Sequence, residues 1–138
     1  MQHAQMFVNL PIRDMARSRA FFESLGYHFN PQFSNEQGAC LVLGDNVFAM
    51  LLVHDFFQTF VDRPIGDATQ TAQVLVALTC ASREDVDRLV DAALAHGATT
   101  PRPVQDLGFM YSRAFADLDG HIWEPFYMAD TGHQAPQE

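Results

Sequence analysis

The stretch FMYSRAFADLDGHIWEPFYM, residues 109–128, determines how the C-terminal half of this chain folds. Two apolar runs flank the dipeptide Asp119-Gly120, which tolerates the positive φ angles of a tight turn, so the runs are predicted to pair as antiparallel strands. Side chains alternate between the two faces of a strand, which places Glu124 on the same face as Ile122 and Phe126. A carboxylate in apolar surroundings is costly unless it is paired, hydrogen-bonded or bound to a metal, so Glu124 needs a partner.

The N-terminal part of the chain has the pattern of a strand, a helix and three further strands. An apolar run over residues 6–12 precedes Asp14, a residue type that caps helices, and apolar residues at helical spacing predict a helix that ends before Gly26. Three strand-like runs then extend to Val53, and the last two are joined by a turn at Gly44-Asp45-Asn46. This order is βαβββ.

The same order returns in the C-terminal part. An apolar run over residues 72–80 precedes Ser82, which is predicted to cap a second helix, and a weaker strand near residues 98–104 comes before the two runs of the opening stretch. Three positions align with three others that lie 68 residues later: Phe7, Asn9 and Asp14 with Leu75, Ala77 and Ser82. This constant offset indicates an internal duplication.

We therefore predict a single domain over residues 1–138 that contains two repeats, module one at 6–53 and module two at 72–128. The connector at 54–71 contains Phe56, Phe57 and Phe60. It is interpreted either as a short helix or aromatic flap that covers a site, or as an apolar plug between the modules. Residues 129–138 lack apolar periodicity and are predicted to form a loose tail.

Composition excludes several classes of function. The formal net charge is −9, and all eight basic residues are arginines, so binding to nucleic acid or to an anionic membrane is not expected and lysine Schiff-base chemistry is excluded. The N-terminus lacks a leader pattern and no run is long enough to span a membrane, so we predict a soluble, cytoplasmic protein. Cys40 and Cys80 lie singly in apolar runs and are predicted to be reduced core thiols. Hydrolase, nucleotide-binding and metalloprotease motifs are missing from the sequence.

The duplicated modules and two motifs, NLPIRDMARSRAFF at residues 9–22 and DLDGHIWE at 117–124, resemble the vicinal oxygen chelate superfamily. This superfamily includes glyoxalase I, bleomycin resistance proteins, fosfomycin resistance enzymes and extradiol dioxygenases. Three segments are similar to its subgroup of predicted lactoylglutathione lyases: FNPQF at 29–33, SREDVD at 82–87 and GFMY at 108–111. The resemblance implies an α+β chain whose two tandem βαβββ modules form a cupped mixed sheet, the glyoxalase/bleomycin-resistance-like fold.

The resemblance also places metal ligands on the first and last strands of both modules. At these positions the chain has Phe7 and Leu75 on the first strands and Met50, or one of its two successors, on the last strand of module one. Only Glu124, on the last strand of module two, is of a ligand type. A single carboxylate with water ligands holds a transition metal weakly, so we expect a degenerate metal site without a tightly bound cofactor. A recruited Ni, Zn, Mn or Fe ion remains an alternative.

Three roles are open for Glu124: a former metal ligand now hydrogen-bonded to a neighbour, a catalytic general base made more basic by burial, and a polar anchor for a ligand. The structural or anchoring role is favoured, with Arg113 on the preceding strand as the expected ionic partner. Seven residues with polar, aromatic or thioether side chains, on or beside the strands, are candidates for ligand contact, provided that they face the cup: Asn9, Met50, His54, Phe109, Tyr111, Arg113 and Trp123.

Two classes of function follow. The first is a metal-free protein that binds a small, partly aromatic or cationic organic molecule in the sheet cup, and the acidic charge favours a cationic ligand. The second is a lactoylglutathione-lyase-like lyase or isomerase, or less plausibly an extradiol dioxygenase, that uses Glu124 with a recruited divalent metal. A single module of roughly 60 residues leaves its cup open, and members of the resembled superfamily commonly pair modules across a dimer interface. A homodimer is therefore expected in either case.

Overall fold

The computed structural model describes residues 1–129, and the remaining residues of the predicted tail, 130–138, lie outside this range. The chain forms two compact units. The first comprises Met1–Thr71 and Leu118–Gly120, and the second comprises Ala72–Asp117 and the described residues 121–129.

The first unit contains a mixed sheet of four strands. Its elements are, in chain order, β1 (Met6–Ile12), α1 (Met15–Ser24), β2 (His28–Asn30), a short 3-10 helix (Pro31–Phe33), β3 (Gly38–Val42), β4 (Val47–Val53) and α2 (His54–Gln58). The strand order is β1-β4-β3-β2, in which β1 runs parallel to β4 and the other neighbours are antiparallel. The predicted βαβββ order is therefore confirmed for this unit.

The predicted cap fixes where α1 begins. The Asp14 carboxylate accepts a hydrogen bond of 3.0 Å from the backbone N–H of Arg17, and this satisfies one of the amide donors that the first turn of a helix leaves unpaired. Ser18, Phe21 and Phe22 lie on the buried side of the helix. The helix stops just before Gly26, whose φ of 100° is disfavoured for other residues.

The second unit contains a mixed sheet built around one strand. Its elements are β5 (Leu75–Thr79), α3 (Arg83–Ala95), β6 (Gln105–Asp106), β7 (Met110–Ser112), β8 (Phe115–Ala116) and β9 (Ile122–Met128). The order is β5-β9-β7-β6, with β8 also paired to β9, and only β5 is parallel to β9. Ser82 caps α3 through a 3.1 Å hydrogen bond from the backbone N–H of Asp85, as predicted.

Two predicted strands differ from the structure, and prolines explain both differences. The segment 98–104 contains Pro101 and Pro103, which have no N–H to donate to a ladder, so it forms only a bridge from Thr99 to Ala116. The run 109–116 is interrupted between β7 and β8. There the chain lies opposite Pro125, whose carbonyl accepts from Arg113 at 3.2 Å but which cannot donate in return.

The α+β class with two mixed sheets is confirmed. Within residues 1–129, no helix has the length and apolar character needed to cross a membrane.

Leu118–Gly120, the turn between β8 and β9, belongs to the first unit. The Asp119 carboxylate accepts hydrogen bonds from the backbone N–H of Arg13 at 2.9 Å and from the Ser18 hydroxyl at 3.2 Å. Gly120 has a φ of 92°, and a Cβ atom at this position would lie 2.7 Å from the backbone of Ala68 and Thr69. Glycine is therefore required here both by conformation and by space.

We predict that Gly120→Ala lowers the free energy of unfolding by about 1–3 kcal/mol. Alanine is strained at this φ, and its Cβ atom meets backbone atoms, which cannot move aside as a side chain could. Urea unfolding followed by circular dichroism measures the change. Gly66→Ala is the control, since a Cβ at Gly66 meets nothing within 4 Å and its φ is ordinary. Equal stability of the two variants would contradict the prediction.

Candidate functional site

The first sheet has one face covered by α1 and one face that is more open. Leu10, Ile12, Ala49 and Leu51 are buried on the covered face. The register pairs Phe7 with Phe48 and Asn9 with Met50, so these four side chains share the other face. We call this second surface the open face of the first sheet.

Aromatic side chains dominate the open face of the first sheet. Phe7 and Phe48 stack with ring centroids 4.8 Å apart, although Phe7 remains 48% exposed. The Phe56 ring of α2 lies 3.6 Å from the position of a Cβ on Gly38, so the connector forms a short helix that packs on this sheet. Of the predicted ligand-contacting residues, Asn9 and Met50 lie on this face, and His54 is the first residue of α2.

The second sheet also has two different faces. Trp123 and Pro125 are buried on the side where α3 packs, whereas Glu124 points to the opposite side. The register with β5 and β7 adds further residues to the side of Glu124, and together they form the open face of the second sheet: Leu75, Ala77, Thr79, Ser112, Ile122, Glu124 and Phe126.

Glu124 is paired with Arg102, a residue that lies between the two prolines ahead of β6. The Arg102 Nε donates to Glu124 Oε2 at 3.2 Å, and its Nη2 donates to the Ser112 hydroxyl at 2.7 Å. Nη1 donates to the carbonyl oxygen of Pro103 at 2.9 Å. The side chains of Arg102 and Glu124 are 29% and 20% exposed, so the ion pair is held at the surface of the sheet and is still accessible to solvent.

The expected partnership between Arg113 and Glu124 is wrong. Arg113 lies on the other side of the sheet, where its Nη1 donates to Asp87 at 2.9 Å and to Asp91 at 3.0 Å, both on α3. Tyr111 also faces α3, since its hydroxyl donates to Asp87 at 2.7 Å. This hydrogen bond raises the pKa of Tyr111 and lowers that of Asp87. These residues fasten the helix to the sheet.

The predicted ligand-contacting residues are therefore distributed over several surfaces. Trp123 is only 1% exposed and donates its indole N–H to Asp117 at 2.9 Å, so it is a core residue. Tyr111 and Arg113 face α3, and Phe109 is half exposed immediately before β7. Within the second unit, Glu124 is the predicted residue that lies on the open face. Arg102 and Ser112 were not predicted, and the only sequence signal for Arg102 was its place in Pro101-Arg102-Pro103.

Both cysteines have the environment of core thiols. Cys40 is buried and Cys80 is partly buried, and neither forms a disulfide. Burial raises the pKa of both thiols, which lowers the fraction of reactive thiolate.

The four positions where the resemblance places metal ligands do not fit a divalent metal. Asn9 pairs with Met50 in the first unit and Ala77 pairs with Glu124 in the second, so Met50 is the module-one counterpart of Glu124. Phe7 and Leu75 provide only carbon atoms, and the Glu124 carboxylate is engaged by an arginine. Among residues 1–129, no three His, Cys, Asp or Glu side chains lie together as a potential metal site.

Comparison with known proteins supports the fold. Residues 5–44 match a family model described as bleomycin resistance protein-like N-terminal. No protein of curated function matches the chain.

Solved structures match over nearly the whole chain. A hypothetical protein from S. aureus is 24% identical, with a TM-score of 0.76 over 92% of this chain and 95% of that one. A glyoxalase-related enzyme from Fulvimarina pelagi is 22% identical, with a TM-score of 0.76 over 92% and 88%. A fosfomycin resistance protein from Mesorhizobium loti is 16% identical, with a TM-score of 0.70 over 98% and 100%. The chain thus has the glyoxalase/bleomycin-resistance fold, and the lactoylglutathione lyase subgroup stays a prediction.

We predict that Arg102 and Glu124 stabilise the second unit jointly. A double-mutant cycle with Arg102→Met and Glu124→Met should give a coupling energy of about 1 kcal/mol, because the pair is partly desolvated and its geometry is fixed by further hydrogen bonds. Urea unfolding of the wild type, both single variants and the double variant measures it.

The matched control is the pair Arg88 and Asp85 on α3, whose side chains are 74% and 39% exposed. Its coupling should not exceed about 0.5 kcal/mol, as for other exposed pairs within a helix. A coupling at Arg102 and Glu124 no larger than in the control would contradict the prediction.

Proposed function

We propose that this chain binds a small organic molecule on the open face of the second sheet without using a metal ion. The observation that carries the proposal is the ion pair between Arg102 and Glu124 at 3.2 Å, on a sheet face that also contains Leu75, Ile122 and Phe126. The pair provides polar groups that orient a ligand, and the surrounding side chains provide area for its hydrocarbon part.

The apolar part of this face is accessible. Leu75 is 54% exposed, and it pairs with Ile122, which lies two residues from Glu124 on the same face. Ala77 pairs with Glu124 itself and adds only a small side chain above the carboxylate. A ligand placed here covers carbon surface on both sides of the ion pair, which is favourable by roughly 25 cal/mol per Å² of buried apolar area.

The alternative function, a lactoylglutathione-lyase-like lyase or an extradiol dioxygenase, requires a metal to stabilise the charge that develops on oxygen. Phe7, Met50 and Leu75 offer no nitrogen or oxygen donor for such a metal. The carboxylate that a lyase would use, Glu124, is also held in an ion pair with Arg102. Ligand binding is consistent with both observations.

The first test combines metal analysis with binding. We expect purified protein to contain far less than one equivalent of metal, and titration with Ni, Zn, Mn or Fe to leave its melting temperature unchanged. A thermal-shift screen of aromatic and polar small molecules should find stabilising compounds, since a ligand at 100 times its Kd adds about 2.7 kcal/mol of stability.

Variants connect a compound from the screen to the proposed surface. Arg102→Met and Glu124→Gln should abolish most of its thermal shift, whereas Arg88→Ala on the exposed side of α3 should leave it unchanged. Tightly held stoichiometric metal, with turnover of the hemithioacetal of methylglyoxal and glutathione, would replace this proposal with the lyase. Thermal shifts that persist in both variants would overturn it as well.

We also propose that the chain forms a homodimer. The strands β1 and β5 lie at the edges of their own sheets and expose large apolar side chains, with Met6 at 60%, Phe7 at 48% and Leu75 at 54%. Exposed apolar residues on edge strands favour association. Light scattering at micromolar concentration should give twice the chain mass of 15.5 kDa. The mass of a single chain would refute the dimer.

A further inference from the structure

We infer that the pair of Arg102 and Glu124 selects uncharged ligands that carry a hydrogen-bond donor and an acceptor side by side, as a carboxamide does. This inference rests on the proposed function, because it specifies which molecules the open face of the second sheet accepts. The hydrogen bonds that the pair leaves unmade carry the argument.

The Arg102 guanidinium has donors to spare. An arginine side chain has five N–H bonds, one on Nε and two on each Nη. Nε donates to Glu124, Nη1 to the Pro103 carbonyl and Nη2 to the Ser112 hydroxyl. One N–H on each Nη therefore has no acceptor among residues 1–129. With 29% of the side chain exposed, these N–H bonds can reach an oxygen atom of a ligand.

Glu124 has a spare acceptor. Its Oε2 accepts from Arg102, whereas no side-chain or backbone donor within the described part of the chain reaches its Oε1. The side chain is 20% exposed, so this oxygen is hydrated in the absence of a ligand. A ligand N–H that replaces the water keeps the hydrogen bond and loses no charge interaction.

The pair as a whole is electrically neutral, and this determines which ligand it favours. A cation attracted to Glu124 is repelled by Arg102 only 3.2 Å away, and an anion attracted to Arg102 is repelled by Glu124 in the same way. The net charge of −9 acts over long distances and is screened beyond about 8 Å at physiological salt, so it affects the approach of a ligand more than its choice. An uncharged group that donates to Glu124 and accepts from Arg102 satisfies both residues.

The neighbouring side chains define the rest of the ligand. Ile122 and Phe126 flank Glu124 along β9, and Leu75 and Ala77 lie beside them on β5. These four side chains have no hydrogen-bonding group, so they favour the hydrocarbon part of a ligand. The chemical class is therefore a carboxamide, or a similar paired donor and acceptor, attached to an apolar or aromatic skeleton.

Three fragments with the same phenyl skeleton test this class: benzamide, benzoate and benzamidine. They are respectively neutral, anionic and cationic, and they differ only in the polar group. Titration of ¹⁵N-labelled protein at millimolar fragment concentrations should shift the amide signals of Ile122, Glu124 and Phe126. We expect benzamide to bind more tightly than either ion by about 2–10-fold, the value of one additional neutral hydrogen bond.

Two variants should change the order of the fragments in opposite directions. Arg102→Met leaves the Glu124 carboxylate without its partner, so benzamidine should become the tightest fragment. Glu124→Gln keeps the shape of the side chain and removes its charge, so benzoate should become the tightest. Arg83→Met is the control, because Arg83 pairs with Asp106 and lies over the Tyr111 ring, on the side of the sheet that faces α3. It should leave the order unchanged.

The outcomes separate the ligand class from the proposed function. If the fragments shift the signals of this face in another order, or if neither variant changes the order, the class is wrong and binding at this face stands. If no fragment and no compound of the thermal-shift screen shifts these signals, the proposed binding at this face is wrong, and the proposed ligand class is then wrong as well. Each variant tests the order independently, so one poorly folded variant does not remove the test.

Discussion

The second unit depends on the position of β9 between its neighbours. This strand pairs with β5, β7 and β8, so its pleat decides the side on which every residue of the sheet lies. Trp123 points toward α3 and is almost completely buried, whereas the adjacent Glu124 points away from the helix. A shift of one residue in register would bury the carboxylate and expose the indole, and both changes are unfavourable. The correct register therefore places the acid on an accessible face.

The ion pair with Arg102 resolves the cost of placing a carboxylate among apolar side chains. Pro101 and Pro103 restrict the backbone on both sides of Arg102, and Ser112 together with the Pro103 carbonyl fixes its guanidinium. A charge held in this way reorganises little when a ligand arrives, which lowers the cost of binding. An exposed pair on flexible side chains would lack this property and would contribute little.

Local chemistry made much of the fold predictable from sequence. Asp14 and Ser82 cap helices at the predicted places because a helix cap is a local hydrogen bond. The side-chain oxygen of the cap accepts from the backbone N–H three residues later, and no distant residue takes part. The positive φ of Gly120 likewise follows from the conformational freedom of glycine, although the turn residues are Leu118 and Asp119 rather than Asp119 and Gly120. The prolines at 101, 103 and 125 were visible, but their effect on particular strands depends on which residue lies opposite, and that is a property of the sheet.

The candidate site was less predictable because its main contact joins distant parts of an irregular segment. Arg102 reaches Glu124 across 22 positions of sequence, and no periodicity describes the chain between α3 and β6. Arg113 was chosen as the partner because it lies on the neighbouring strand. Alternation of side chains gives Arg113 the opposite face, where Asp87 and Asp91 of α3 hold it. The prediction was wrong because Arg113 is near Glu124 along the hairpin but its side chain points to the opposite face of the sheet.

The two units share a strand register and differ in the side chains on their open faces. The pair of Asn9 and Met50 in the first unit corresponds to the pair of Ala77 and Glu124 in the second, and the register is the same in both. All four side chains point away from the helix that covers their own sheet, so substitutions among them leave the packing under that helix unaffected. In the first unit Asn9 and Met50 lie beside the stacked rings of Phe7 and Phe48, whereas in the second Glu124 forms an ion pair with Arg102. Chemistry can therefore diverge on the open faces while the helix-covered faces keep the fold.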